Sequence, residues 1–321
     1  MRIGVDLGGT KIEAVALDRA TGRELLRRRR PTPRGAEAGY DSQEQADAVY
    51  DAIVKAIAGL VGEVEQELGR NGTVGVGIPG AVSPATGRVK NANTTCLIGH
   101  ALDRDLGAAL GRPVRLANDA NCFALSEATD GGAAGAAIVF GVIIGTGCGG
   151  GVVVNGRVLD GHNAVAGEWG HNPLPWQDDE ERPGGRFARK CWCGKWNCIE
   201  TFLSGPGVAT NHRIATGQDL DVAKIAEQAD AGDAASRATL ERHADRLARS
   251  LATIINVIDP DAIVLGGGLS NLAHLYRDVP ARWGRYAFTD EITTRLVPPK
   301  HGDSSGVRGA AWLWPAGERD P

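Results

Sequence analysis

The sequence predicts an α/β protein of two domains, or of one large unit with a deep crease, and three observations carry that expectation. The chain has 321 residues, where a domain commonly takes roughly 100–200. An apolar strand runs into a glycine turn at Asp6-Leu7-Gly8-Gly9-Thr10-Lys11, and the pattern repeats at Gly145-Thr146-Gly147-Cys148-Gly149-Gly150. Two long stretches, Gln43–Leu68 and Ala234–Ile258, carry apolar residues three or four apart, which sets them on one face of a helix.

In chain order, Arg2–Leu7 and 12–17 alternate as strands around the first glycine turn. The basic run Arg27 to Arg30 reads as a solvated strand or turn ending at Pro31. The stripe Val49, Ile53, Ile57, Leu60, Val64 and Leu68 defines the first long helix, and the strand Thr73–Ile78 follows it. A short helix over Leu102–Leu110 leads to a strand at 114–117, then to Asn118-Asp119-Ala120-Asn121 and an alanine-rich helix to about Thr129. Strands at 137–144 and 151–154 flank the second glycine loop. Residues 172–190, rich in Pro, Gly and charge, predict an irregular surface insertion. Leu240, Leu247, Leu251, Ile254, Ile255 and Ile258 stripe the second long helix, which stops at Asp259-Pro260. A strand at 262–265 runs into Gly266-Gly267-Gly268, and a last helix is expected over 304–313.

Composition narrows the function classes. Glycine makes up about 14% of the chain, 45 residues, twice the usual ~7%, which points to tight turns and ligand loops. A net charge of −4 argues against a general nucleic-acid binder. With Asp6 where a signal peptide needs its apolar core, and with no eighteen-residue apolar run, a cytoplasmic protein with no membrane partner is expected.

Convergent backbone N–H groups make glycine turns into phosphate cradles, and three such turns beside strands favour a nucleotide site. None has the Walker spacing. Gly145, Gly147 and Gly150 fit the dinucleotide fingerprint, with Glu168 beyond, but that fingerprint needs a helix after the turn, and a second strand is read there instead. Cys191, Cys193 and Cys198 crowd together, whereas Cys96, Cys122 and Cys148 are scattered. Three soft ligands with His171, the nearest upstream histidine, suit tetrahedral zinc, although the spacing is not that of a standard finger. On pattern alone, Asn118 or Asp119 reads as the N-cap of the helix that follows.

Asp6-Leu7-Gly8-Gly9-Thr10-Lys11-Ile12-Glu13, Asn118-Asp119-Ala120-Asn121, Ile144-Gly145-Thr146-Gly147, Gly167-Glu168-Trp169-Gly170-His171 and Cys191-Trp192-Cys193-Gly194 through Cys198-Ile199-Glu200 together resemble the ROK family (repressors, open reading frames, kinases) over nearly the whole chain. The resemblance implies an actin-like ATPase, ribonuclease H-like fold: two α/β lobes over a cleft, closing on sugar. The lobes implied are residues 1–117, joined by a returning helix at about 304–321, and residues 118–303. It implies ATP and Mg2+ handled by Asp6 (through water), Gly8, Gly9, Thr10, Lys11, Gly145, Thr146, Gly147 and Gly149, with Gly266, Gly267 and Gly268 near adenosine. Asp119 would be the general base, and His171, Cys191, Cys193 and Cys198 would bind structural Zn2+. Sugar contacts are implied for Asn118, Asp119, Glu168, His171 and Glu200, with Gly80, Asn91 and Asn93 lining the other side, where the two asparagines equally suit a turn. Asn197 departs from the family, which often has glycine before the last cysteine, and asparagine tolerates the left-handed backbone that such a turn needs.

The family divides into sugar kinases and DNA-binding repressors, and only five residues precede Asp6, so a kinase is expected rather than a repressor; the presence of Asp6, Lys11 and Asp119 together disfavours a non-catalytic sensor. Segments at Thr73 to Pro79, Val89 to Asn93, Gly170 to Trp176 and Lys300 to Trp312 resemble bacterial fructokinases of the mannofructokinase type. Fructose is therefore the first expected substrate, N-acetylglucosamine the second, glucose or mannose the third. A homodimer is implied by the resemblance alone.

Overall fold

The computed structural model describes residues 1–33 and 40–315, and it divides into two compact units. The first comprises Met1–Gly131, Val158–Ala166 and the chain from Asp303 onward; the second comprises Gly132–Arg157 and Gly167–Gly302.

Unit one is built on β1 (Arg2–Leu7), β2 (Lys11–Leu17), β3 (Glu24–Pro31), β4 (Thr73–Ile78) and β7 (Val114–Asn118), in the order β3-β2-β1-β4-β7, with a separate hairpin of β5 (Ala81–Val82) and β6 (Val89–Lys90). The β1-β2-β3 meander is antiparallel, while β4 and β7 join in parallel. One face of the sheet is covered by α1 (Gln43–Leu68), whose Ile53, Ile57, Leu60 and Val64 share a fully buried core with Ile3, Val5, Val74 and Val76. Ser42 caps α1 by accepting from Gln45 N–H, and Gly69 closes it in the left-handed conformation at φ 64°. The shorter α2 (Leu102–Leu110) packs beside α1.

The basic run resolves into strand periodicity. Arg27 and Arg29 turn to one side and reach the buried Glu13 carboxylate, while Arg28 and Arg30 turn to the other and pair with Glu67 and Glu63 of α1. All four charges are thus internal partners of this unit.

Glycines decide how the other face is covered. A Cβ on Gly4 or Gly75 would run into the backbone of the C-terminal helix, Ser305–Trp312, and one on Gly309 would strike the Cys122 carbonyl of α3 (Asp119–Thr129). The two helices therefore lie backbone to backbone, tied further by Ser305 to Glu127 (2.6 Å) and by Arg308 to Asp130. This packing moves the expected boundary: α3 belongs with unit one, so the division falls at Gly131 rather than at 117. The segment Val158–Ala166 also belongs to unit one, and Lys90 Nζ donates to Asn163 O at 2.8 Å. Of the expected returning helix, residues 316–321 lie outside the described residues.

Unit two repeats the sheet order with β8 (Ile138–Ile144), β9 (Cys148–Val154), β10 (Arg157–Val158), β11 (Ala262–Gly266) and β12 (Arg295–Val297), arranged β10-β9-β8-β11-β12. Again the first pair, β8 and β9, is antiparallel and the next two joins are parallel. Its helices are α4 (Ile199–Leu203), α5 (Gly205–Thr216), α6 (Val222–Asp230), α7 (Ala234–Ile258), α8 (Leu275–Asp278) and α9 (Pro280–Trp283). Leu247, Leu251 and Ile255 of α7 pack with Phe140, Val142, Ile263 and Leu265 of the sheet.

The insertion at 172–190 has no regular element beyond isolated bridges and turns, as expected, but it is pinned from inside. The buried Glu181 carboxylate receives Arg246 Nε at 2.7 Å and Arg249 Nη2 at 2.9 Å, and Arg249 also donates to the Pro175 and Trp176 carbonyls. A buried carboxylate shared by two guanidiniums favours one geometry for the loop more than it adds net stability.

Candidate active site and metal centre

In unit one the chemistry gathers where β1, β4 and β7 end. Asp6 is the penultimate residue of β1, opposite Gly77 in β4. A Cβ on Gly77 would lie 3.5 Å from Asp6 Oδ1 and 3.3 Å from Cys122 Sγ, so the absence of one lets the carboxylate and α3 meet. Burial, then the Asp119 and Glu13 carboxylates, push Asp6 up to about 6, against a smaller opposing effect of Lys11.

Asn118 ends β7 and is the N-cap of α3: its Oδ1 accepts from Ala120 N–H at 2.9 Å and its Nδ2 donates to Gly80 O at 3.1 Å. Asp119 Oδ1 reaches the same Ala120 N–H at 2.8 Å. Gly80 has φ 88°, and a Cβ there would lie 2.5 Å from Lys90 O, so only glycine lets the β5-β6 hairpin close on Asn118. Asn91 stands at φ 56° and is exposed, as a turn residue would be, and Asn93 is exposed as well.

Gly8 and Gly9 form the first turn, Gly8 N–H donating to Lys11 O at 3.0 Å, with Thr10 exposed. Lys11 is the first residue of β2, and its ammonium sits 3.2 Å from Glu13. Two residues had no role in the sequence reading. Asn121 is buried and donates to Asp160 Oδ1 at 3.3 Å, and burial raises Asp160. Asp160 carries no motif, so only the return of its segment to unit one brings it near α3.

In unit two the second glycine loop is shorter than read. The strand β9 starts at Cys148, three residues before the expected 151, so the turn is Gly145-Thr146-Gly147. Gly149 is a ladder residue paired with Ile143, and its carbonyl accepts Trp169 Nε1–H at 2.9 Å; its expected place in the loop is corrected by that pairing. Gly266 likewise ends β11, leaving Gly267 (φ 77°) and Gly268 to make the turn. A Cβ on Gly267 would strike the Ile144 backbone, which brings the turns after β8 and β11 together.

The metal ligands converge as expected: the donor atoms of His171, Cys191, Cys193 and Cys198 all lie within 4.8 Å of one another. Cys193 and Cys198 sulfurs are 3.5 Å apart, and Cys191 Sγ is 3.7 Å from His171 Nδ1. Tetrahedral Zn–S bonds of about 2.3 Å put sulfurs about 3.8 Å apart, so the donor set and its spacing fit Zn2+. Burial, then the neighbouring sulfurs, push Cys198 up to about 12, so a bound cation would be what holds that sulfur as a thiolate. With Nδ1 on a metal, His171 would keep its proton on Nε2 as an outward donor.

Asn197 takes φ 57°, the backbone that glycine would supply. Its side chain adds what glycine lacks: Oδ1 accepts Arg189 N–H at 2.9 Å, and Nδ2 donates to Glu181 O at 2.7 Å. The metal loop is thereby fastened to the Glu181 anchor.

Glu200, on α4, directs Oε2 to Cys148 N–H (3.0 Å) and Oε1 to Trp192 Nε1–H (2.7 Å). Each oxygen keeps a further lone pair for a hydroxyl donor. Glu168 is exposed, at the start of the 3-10 turn Trp169–His171.

Duplicate sheets of the same order, a carboxylate at the end of the first strand and a glycine turn at each first hairpin define the actin-like ATPase architecture, and the chain belongs to the ROK family, whose model matches residues 2–317. N-acetyl-D-glucosamine kinase of Escherichia coli is 41% identical over 315 residues, covering 98% of this chain and 99% of the relative. Among solved structures, the ROK hexokinase from Thermus thermophilus superposes with a TM-score of 0.82 at 30% identity, covering 97% of both chains. A ROK family glucokinase from Streptomyces griseus, solved with glucose and AMPPNP, gives 0.72 at 26% identity, covering 97% of this chain and 98% of that one. Among the described residues, no helix is long and apolar enough to cross a membrane.

Proposed function

We propose that this protein is an ATP-dependent sugar kinase that phosphorylates the 6-hydroxyl of N-acetyl-D-glucosamine. The observation that carries the substrate is the 41% identity to an N-acetyl-D-glucosamine kinase along almost the whole of both chains. That likeness favours the second expected substrate over fructose, which rested on short segments alone. A cytoplasmic homodimer accords with the family resemblance.

The sugar hydroxyl attacks the γ-phosphorus of ATP, the bond to the β–γ bridging oxygen breaks, and the hydroxyl proton passes to the Asp119 carboxylate. Asn118 and Asp119 both reach the Ala120 N–H at the start of α3, and from that fixed place Asp119 would align the nucleophile, which is most of what phosphoryl transfer asks of a protein. Mg2+ suits the hard oxygens of Asp6, where it would supply charge neutralisation for the phosphates. Glu168, Glu200 and His171 offer acceptors and a donor for the remaining hydroxyls, and Zn2+ held by His171, Cys191, Cys193 and Cys198 would order the loop that carries His171.

The test is a coupled ADP-release assay over N-acetylglucosamine, fructose, mannose and glucose. N-acetylglucosamine is expected to give kcat/KM at least ten times that of fructose. The reverse ratio would return the substrate to fructose and leave the kinase class standing; no turnover of any sugar would leave a sensor.

A further inference from the structure

Trp192 is the most exposed of the seven tryptophans, at 77%, although it stands between two of the metal donors, Cys191 and Cys193. An indole left in water forgoes a large apolar burial, yet this one is held at two points. Its Nε1–H donates to Glu200 Oε1 at 2.7 Å, and its ring meets that of His171 nearly at right angles (83°), with centroids 5.0 Å apart. The metal loop thus sets its backbone, Glu200 sets its tip, and most of the ring stays uncovered. Trp176, the other tryptophan of this unit with an aromatic neighbour on the surface, lies against Tyr286 at 5.2 Å and touches neither of these residues.

The two residues that hold the indole are polar and suited to hydroxyls. Glu200 is bonded to two N–H groups and to no cation among the described residues, so its charge is uncompensated and the place suits a neutral hydroxyl donor rather than an anion. A hexose ring presents both chemistries, hydroxyls around its edge and C–H groups across its faces. We infer that Trp192 is a sugar-binding residue: its exposed ring is the platform on which the C–H face of the hexose packs, while Glu200 and His171 take hydroxyls at the edge. Because the indole is already fixed, little side-chain freedom is lost when the sugar arrives. Naming the ligand rests on the sugar-kinase reading; the inference adds the residue that selects for a ring with an apolar face.

Two variants separate the platform from the bond to Glu200. Trp192→Phe keeps an aromatic face and loses the N–H; Trp192→Gln keeps an N–H and loses the face. N-acetylglucosamine is titrated into each protein as purified, without nucleotide, and followed by calorimetry and tryptophan emission, with zinc content and Tm measured on every sample. The wild type should bind saturably with a change in emission. In Trp192→Phe that change should vanish while Kd stays within about threefold, because the face remains. In Trp192→Gln, Kd should rise about tenfold or more, the low end of what one apolar group in a pocket discriminates. Its KM should rise by the same factor with kcat within about twofold, as for a contact made equally in ground and transition states. Weak binding in Trp192→Phe with wild-type binding in Trp192→Gln would show that the indole only fastens Glu200 and would overturn the platform. So would an emission change that persists in Trp192→Phe, one produced by ADP and not by sugar, a loss that tracks zinc content, or no saturable binding of sugar. Equal kcat/KM in all three proteins would refute the platform and leave the kinase reading standing; the expected binding differences without any ADP release would refute the kinase reading and leave the platform standing.

Discussion

Glu200 Oε2 accepts the Cys148 backbone N–H at 3.0 Å, and a Cβ on Gly147 would come within 2.6 Å of that same oxygen. One carboxylate thus fastens the helix after the metal loop to the glycine turn after β8. Gly147→Ala should push the carboxylate off Cys148 and off its line to Trp192. The expected outcome is a KM for sugar raised about tenfold or more, with Tm lowered by a few degrees, a cost in the range of an ordinary point mutation of about 1 kcal/mol. Wild-type sugar kinetics in the variant would show that the pairing of Glu200 and Gly147 has no part in sugar binding.

Asp119 separates positioning from capping. Since Asn118 already caps α3, Asp119→Asn should leave stability nearly unchanged and lower kcat by roughly 10²–10⁴-fold, the usual span for a general base, with a smaller change in KM. A folded variant keeping more than about a tenth of wild-type kcat would remove Asp119 from the chemistry.

The four-donor cluster should hold about one zinc per chain. Elemental analysis is expected to find that equivalent, and Cys198→Ser should lower both metal content and Tm. Less than about half an equivalent in a fully folded protein would defeat the zinc assignment.

Asp6 stands at about 6 when folded and near 3.8 when free, so folding holds its proton more tightly. The stability this contributes is complete below pH 4 and is lost as pH rises through 6. In magnesium-free buffer at pH 8, Asp6→Asn should therefore be more stable than wild type by about 1–3 kcal/mol, while losing kinase activity. Equal denaturation midpoints at pH 8 would show that the Asp6 carboxylate carries no such burden.

His243 works in the opposite sense. It is buried on α7, its Nε2 faces Leu203 O at 3.2 Å, and burial holds the ring down at about 4 against 6.5 when free. The unfolded chain takes up a proton that the folded one refuses, so stability present above pH 6.5 falls as pH drops toward 4, by about 3 kcal/mol at most. His243→Gln keeps a donor for Leu203 and should flatten the urea midpoint between pH 6.5 and 4.5. An unchanged slope would assign the acid lability elsewhere.

Periodicity and turn chemistry made much of this protein legible from its sequence. Both long helices run over the expected residues, Gln43–Leu68 and Ala234–Ile258, because an apolar stripe at helical spacing has one way to be buried. The cysteine cluster with His171 was legible for a related reason, as ligand chemistry leaves few partners for three thiols. Close approach of backbone decided the rest. The division at Gly131 follows from Gly309 letting α3 and the C-terminal helix touch, and nothing local to residue 117 records that contact. Gly149 reads as loop in a glycine-rich string, yet ladder hydrogen bonds to β8 make it strand. Arg27 to Arg30 reads as solvated until Glu13, Glu63 and Glu67 arrive from other elements. Asp160 joins Asn121, and Glu181 joins Arg246 and Arg249, across gaps of 39, 65 and 68 residues. A pairing of that kind has no period and no spacing in the chain; it exists only once loop-closure entropy has been overcome by packing elsewhere.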